Sequence, residues 1–186
     1  MSSPSKFNAG CWEAGSMVLL ANGYSYMKIG YLRRGDLVWT PTGKAKVLHL
    51  IEYNLVRPYQ PMCKINKLWI TPYHPVNING CWEFPTNLSP IVHRTTSKLY
   101  NLVLDSGHVI MISDVMSCTL GHGFTGEVVE HPYFGDMRAV VSDLSRVRGF
   151  IRGAPIFLDT RVRRNPITGM VMGMYDASIN TSGSWR

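Results

Sequence analysis

The sequence predicts an all-β domain, and three observations carry that reading. No window of a dozen residues holds a helical period. Nearly every apolar segment is short and bounded by Gly, Pro or Asn. Pairs of β-prone runs recur around turn residues, as strand hairpins require. The 186 residues suit one domain, or one domain with an extension. With 45% hydrophobic and 17% charged residues the chain can bury a core, and wholesale disorder is excluded.

The elements follow in order. "MVLLANGYSYMKI" places Asn22-Gly23 between two runs, a hairpin signal because both turn positions favour positive φ. "DLVWTPTGKAKVLHLIEY" repeats the pattern around Pro41 to Gly43. "KLWITPYHPVNINGCWEF" holds a short strand, a Pro-rich interruption and another short strand closed by Asn79-Gly80. "KLYNLVLDSGHVIMIS" reads as two strands around Asp105 to Gly107. The only helix expected is short, around "DMRAVVSDLSRV". These strands span residues 11–124. Residues 1–10 read as a short flank or the remnant of a longer protein, and residues 125–186 as a closing extension, richer in Arg and without cysteine. There is no internal repeat.

Composition narrows the function. No run approaches the roughly 18 apolar residues of a membrane helix, and the N-terminus lacks the apolar middle of a secretory signal. A cytoplasmic location and no membrane partner are therefore expected. The net charge is +7, with arginines concentrated in "SRVRGFIRG" and "RVRRNP". No aromatic residues interleave closely with them, so the reading is a solvated basic face rather than a nucleic-acid site. The four cysteines, Cys11, Cys63, Cys81 and Cys118, form no C-x-x-C pair, which leaves a metal site without supporting spacing. A monomer with no cofactor is expected.

Cys11 stands directly after Gly10 at the edge of the first strand. A buried packing residue, half of a disulfide, a metal ligand and a nucleophile are all readings of such a cysteine. Three features line up with it. In "TPYHP", prolines follow both Thr71 and His74, and their fixed φ holds a hydroxyl and an imidazole in one tight turn. "SGHVIMISDVMSCTLGHG" brings His108, Cys118 and His122 into the last strands. Arg34-Gly35-Asp36 forms a turn before a strand. Taken singly, each is more often structural than chemical.

Together they resemble a known family. The order is Cys-x-x-x-Gly-Ser-x-Val at 11–18, Leu-x-x-Gly-Asp-x-Val at 32–38, Ile-Thr-x-x-His-Pro-Val at 70–76, Leu-Tyr-Asn-Leu-Val-Leu at 99–104, and Ser-Cys at 117–118. It resembles the Hint domain, the self-processing module of inteins and Hedgehog C-terminal domains. "TLGHGF", "HPYFGD" and "GMVMG" are similar to the Vint type, found in proteins with von Willebrand A domains. The resemblance implies a compact horseshoe of short strands, and self-cleavage of the chain. Cys11 would attack the Gly10 carbonyl in an N-to-S acyl shift to a thioester. His74 would act as general acid to the amide nitrogen, Thr71 would hold the scissile amide, and His108 would assist near the thioester. Full splicing would need a terminal His-Asn, which is absent, so cleavage or acyl transfer to water or another nucleophile is expected. The substrate partner would be the flanking polypeptide itself. Tyr100-Asn101 stands where many inteins carry Tyr-Asp, which removes a charge. If the first and last strands of the module lie side by side, Cys118 would come near Cys11 as a redox partner. The contrasting reading is a Hint-derived interaction module that no longer reacts. The presence of Cys11, Thr71 and His74 together argues against it.

Overall fold

The structure, a computed structural model, describes residues 10–176. The flank expected over residues 1–10 therefore lies outside them, except for Gly10. Fifteen strands form two sheets among these residues. The all-β reading holds.

The larger sheet takes strands from both halves of the chain. β1 (Trp12–Glu13) is antiparallel to β7 (Leu68–Ile70) on one side and to β11 (Leu99–Leu104) on the other. Outward from β7 come β6 (Tyr59–Ile65) and β10 (Val92–Thr95). Beyond β11 lies β5 (Gly43–Asn54), twelve residues long. The outer edge of β5 is covered in two pieces. β4 (Leu37–Thr40) pairs with its first part. β14 (Ile156–Arg164) runs parallel to its last part, with Ile156 opposite Ile51, and carries β15 (Val171–Asp176) behind it. The C-terminal extension thus completes the sheet and leaves the long central strand no bare edge.

The smaller sheet runs β3 (Tyr26–Lys28), β2 (Met17–Leu19), β12 (Val109–Ile112), β13 (Val115–Cys118), β8 (Val76–Ile78) and β9 (Cys81–Glu83). β11 and β12 belong to different sheets, so the Asp105–Gly107 turn hands the chain from one sheet to the other. β1 and β13 also belong to different sheets. The first and last strands of the module are therefore not ladder neighbours, contrary to the premise that put Cys118 beside Cys11.

Turn chemistry explains the hairpins. Asn79 and Gly80 both have positive φ, 52° and 88°, and join β8 to β9 in a two-residue turn. Asn22-Gly23 does not repeat this. Only Gly23 has positive φ, and Leu19 pairs with Tyr26 across a longer loop. The Asn22 carboxamide oxygen accepts from the Tyr24 and Ser25 amides, so Asn22 folds the loop through its side chain. The expected helix is α2 (Met137–Leu144), after α1 (Pro85–Leu88), a single turn opened by proline. The Asp136 carboxylate caps α2 by accepting from the Arg138 and Ala139 amides. No helix among the described residues is long and apolar enough to cross a membrane.

Two apolar cores flank the larger sheet, and β11 is buried on both faces. Tyr100, Leu102 and Leu104 join the core shared with the smaller sheet, which also holds Trp12. Leu99 and Val103 join the other core, with Cys11, Tyr53, Ile156 and the α2 residues Val140 and Leu144. Period-2 alternation puts Asn101 on the same side as Leu99 and Val103. An amide is thus placed in a strand that otherwise faces apolar surroundings.

Candidate active site

The site is built on the peptide that enters β1. Cys11 is buried, on the side of the sheet covered by the C-terminal extension. An open cleft of about 200 Å³ reaches it between Tyr53, Leu99 and Thr71 on the core and Thr160 on the extension. Burial in these apolar surroundings pushes the Cys11 thiol far above the ordinary thiol range, so it rests protonated.

Thr71 follows β7, the ladder partner of β1, and so reaches the same peptide. Its hydroxyl oxygen accepts from the Cys11 N–H at 2.8 Å, and its own N–H donates to the Cys11 carbonyl at 3.0 Å. The two prolines and the His74 N–H to Thr71 carbonyl bond, at 3.2 Å, fold the turn that brings His74 back toward Gly10.

His74 is buried against Trp12, with ring centroids 4.4 Å apart. Its Nε2 lies 2.7 Å from the Cys118 carbonyl oxygen. A carbonyl only accepts, so that bond assigns the proton to Nε2 and leaves Nδ1 with a lone pair. Nδ1 is buried and has no hydrogen-bond partner among the described residues. Its edge of the ring faces Gly10, where an added β-carbon would stand 2.6 Å from Cγ and 2.9 Å from Nδ1. Residue 10 must be glycine because the imidazole occupies the place of its side chain. Burial lowers the His74 pKa to about 4, against the opposing pull of the Cys118 backbone, so the ring is neutral at pH 7.

The Gly10 carbonyl points the other way. It accepts from Asn101 Nδ2 at 2.6 Å. A second cleft surrounds this peptide, lined by His74, Asn101, Cys118 and His122 from the β-domain and by Glu130 and His131 from the extension. Burial also lowers His122 and His131 to about 4.

The structure therefore brings together Gly10, Cys11, Thr71 and His74. Cys118 joins them through its backbone carbonyl, while its thiol lies 3.9 Å from the Pro75 carbonyl and burial raises it to about 12. No disulfide joins cysteines among the described residues. His108 stands apart. It occupies a left-handed turn position, φ 48°, before β12, and it is absent from the lining around Gly10. The late histidine that does line that cleft is His122, to which His108 couples electrostatically. Sequence reasoning gave no role to His122 or Asn101, although both lay in segments it had singled out. No group of His, Cys, Asp and Glu among the described residues is arranged to hold a metal.

Comparison with known proteins completes the picture. No curated protein sequence matches the chain. Solved structures with a similar course include the gp41-1 intein, 13% identical with a TM-score of 0.46 over 60% of this chain and 99% of that one. A DnaB intein from Synechocystis sp. PCC 6803 is 14% identical, TM-score 0.48, over 60% and 99%. The bacterial intein-like domain from Clostridium thermocellum is 17% identical, TM-score 0.46, over 59% and 98%. The Vint family, described as a Hint-domain, matches residues 10–173, from the glycine before Cys11 to the last strand. The chain thus belongs to the Vint family of Hint domains, a fold of self-processing proteins.

Proposed function

We propose that this domain cuts its own chain between Gly10 and Cys11 through a thioester on Cys11. The observation that carries the reading is the hold on that one peptide. Its N–H is bonded to Thr71 at 2.8 Å, and the His74 ring packs where a side chain of residue 10 would be. Fixing the reacting groups in this way removes much of the entropic part of a barrier.

The Cys11 sulfur attacks the Gly10 carbonyl carbon. An S–C bond forms, the Gly10–Cys11 C–N bond breaks, and the thiol proton ends on the Cys11 nitrogen, which becomes a primary amine. The buried thiol rests protonated, so attack requires an acceptor for that proton. His74 Nδ1, unprotonated and facing Gly10, is that acceptor. It collects the proton as sulfur attacks and returns it to the leaving nitrogen, acting as base and then as acid. A neutral ring with its proton on Nε2 has nothing to donate from Nδ1 at the start, so the role begins one step before the general acid read from sequence. Thr71 holds the nitrogen in place. Water then attacks the thioester, which releases Gly10 as a carboxylate and returns the Cys11 thiol.

The test is capture of the acyl group. Incubated with hydroxylamine, a chain carrying a reporter before Ser2 releases that reporter as the Gly10 hydroxamate, heavier than the free acid by one NH. Release of the acid alone at the same rate, with no hydroxamate, removes the thioester.

A further inference from the structure

Asn101 is the one carboxamide on β11, on the opposite face from the Tyr100 hydroxyl, and its position sets it against the reacting carbonyl rather than the nucleophile. It is 1% exposed. Its carboxamide is oriented by its own strand: the Leu102 N–H can only donate, and it does so to Oδ1 at 2.8 Å. That leaves the amide NH₂ facing outward from the strand, where Nδ2 donates to the Gly10 carbonyl oxygen at 2.6 Å. Residues 10 and 101 are 91 positions apart. They meet because β1 is laid against β11 with Trp12 opposite Tyr100.

We infer that Asn101 is a catalytic residue that supplies the hydrogen bond to the oxyanion formed on Gly10. This rests on the reading of the site as a self-cleaving one. When sulfur adds to the carbonyl carbon, the π electron pair moves onto the Gly10 oxygen. When the nitrogen leaves, the pair returns and the thioester carbonyl re-forms. The same oxygen bears charge twice, once in thioester formation and again when water resolves it. A donor fixed beforehand in a buried site stabilises that charge without reorganising. A neutral amide suits the task. An aspartate at this place would set a carboxylate against a developing anion, unless it were protonated and donated through its own O–H. An asparagine offers that donor at every pH.

The experiment uses the full chain behind a folded reporter, with Asn101→Ala and Asn101→Asp beside the parent, and follows reporter release by intact mass from pH 5 to pH 8. Thermal melting checks that each variant is folded. Asn101→Ala is expected to slow release about 10²–10³-fold, the cost of removing one such donor. Asn101→Asp is expected to be slow at pH 8 and to recover as pH falls, because the carboxyl regains a donor on protonation, while the parent shows no such recovery. Other titratable groups face the same cleft: Tyr73, His74, Cys118, His122, Glu130 and His131. They are present in parent and variant alike, so the difference between the two profiles reports residue 101. Folded Asn101→Ala releasing at the parent rate overturns the assignment. So does an Asn101→Asp profile parallel to the parent's, and this second comparison holds even where Asn101→Ala fails to fold. A parent that itself never releases the reporter overturns instead the reading of the whole site.

Discussion

His74 donates through Nε2 to the Cys118 carbonyl at 2.7 Å, and that bond decides which nitrogen faces Gly10. The carbonyl belongs to the end of β13 in the smaller sheet, while Gly10 enters β1 in the larger one. The imidazole is held by one sheet and presents its lone pair to a peptide on the other.

This arrangement predicts how the rate depends on pH. The His74 pKa is lowered to about 4, so the base is present throughout the neutral range. Release is expected to be insensitive to His74 titration between pH 8 and 5 and to fall only as pH approaches 4. A rate that instead rises through pH 6.5 on acidification would make the charged ring the active form. His74→Ala is expected to lose about 10²–10⁴-fold in rate, the usual worth of a positioned acid–base group, measured as reporter release at pH 7.

Gly10→Ala tests the close approach. Its β-carbon would fall 2.6 Å from His74 Cγ, a ring boxed in by Trp12 and by its bond to Cys118. The ring has no room to retreat, so the peptide must shift away from Thr71 and Asn101. Release is expected to slow at least about tenfold, in keeping with the sensitivity of positioned reactions to small displacements. The melting temperature should change little, because Gly10 precedes the first strand. Unchanged release in Gly10→Ala would show that the ring is not held against the peptide.

Stability should also follow pH. Burial lowers His49, His74, His122 and His131 to about 4 from an ordinary value near 6.5. Between those values the unfolded chain binds protons that the folded one refuses, so stability rises with pH in that window. It is full above about pH 6.5 and is lost as pH falls toward 4. The urea midpoint is expected to drop steadily over that interval. A midpoint that is flat or higher at pH 5 than at pH 7 would contradict the buried, neutral state of these rings.

Much of this was legible in the residues. Asn79-Gly80, Pro41 to Gly43 and the Gly- and Pro-bounded runs mark strand ends through local backbone chemistry, and local chemistry is what a sequence displays. That Thr71 and His74 share one tight turn was legible from the flanking prolines, while the grouping of Cys11 with them rested on the resemblance to Hint domains. What was hidden depends on contacts between distant segments. Asn101 looked like a lost charge because nothing local says that β1 will lie against β11. That His122 and not His108 lines the cleft around Gly10 was hidden too, because the left-handed turn at His108 cannot be read from its type. The closing arginines read as a solvated face, and Arg161 and Arg163 stay partly in solvent while pairing with Asp159 at 2.6 Å and Asp143 at 2.8 Å, partners that the sequence does not display. The parallel pairing of β14 with β5 joins segments about a hundred residues apart and has no local signature.

The most direct measurement is the intact mass of the chain behind a folded reporter, parent against Cys11→Ala, with and without dithiothreitol. The account predicts that the parent releases the reporter after Gly10, faster with the thiol, and that Cys11→Ala stays whole while folded. A parent that stays whole and folded under both conditions would contradict self-cleavage and leave a Hint domain that serves as an interaction module.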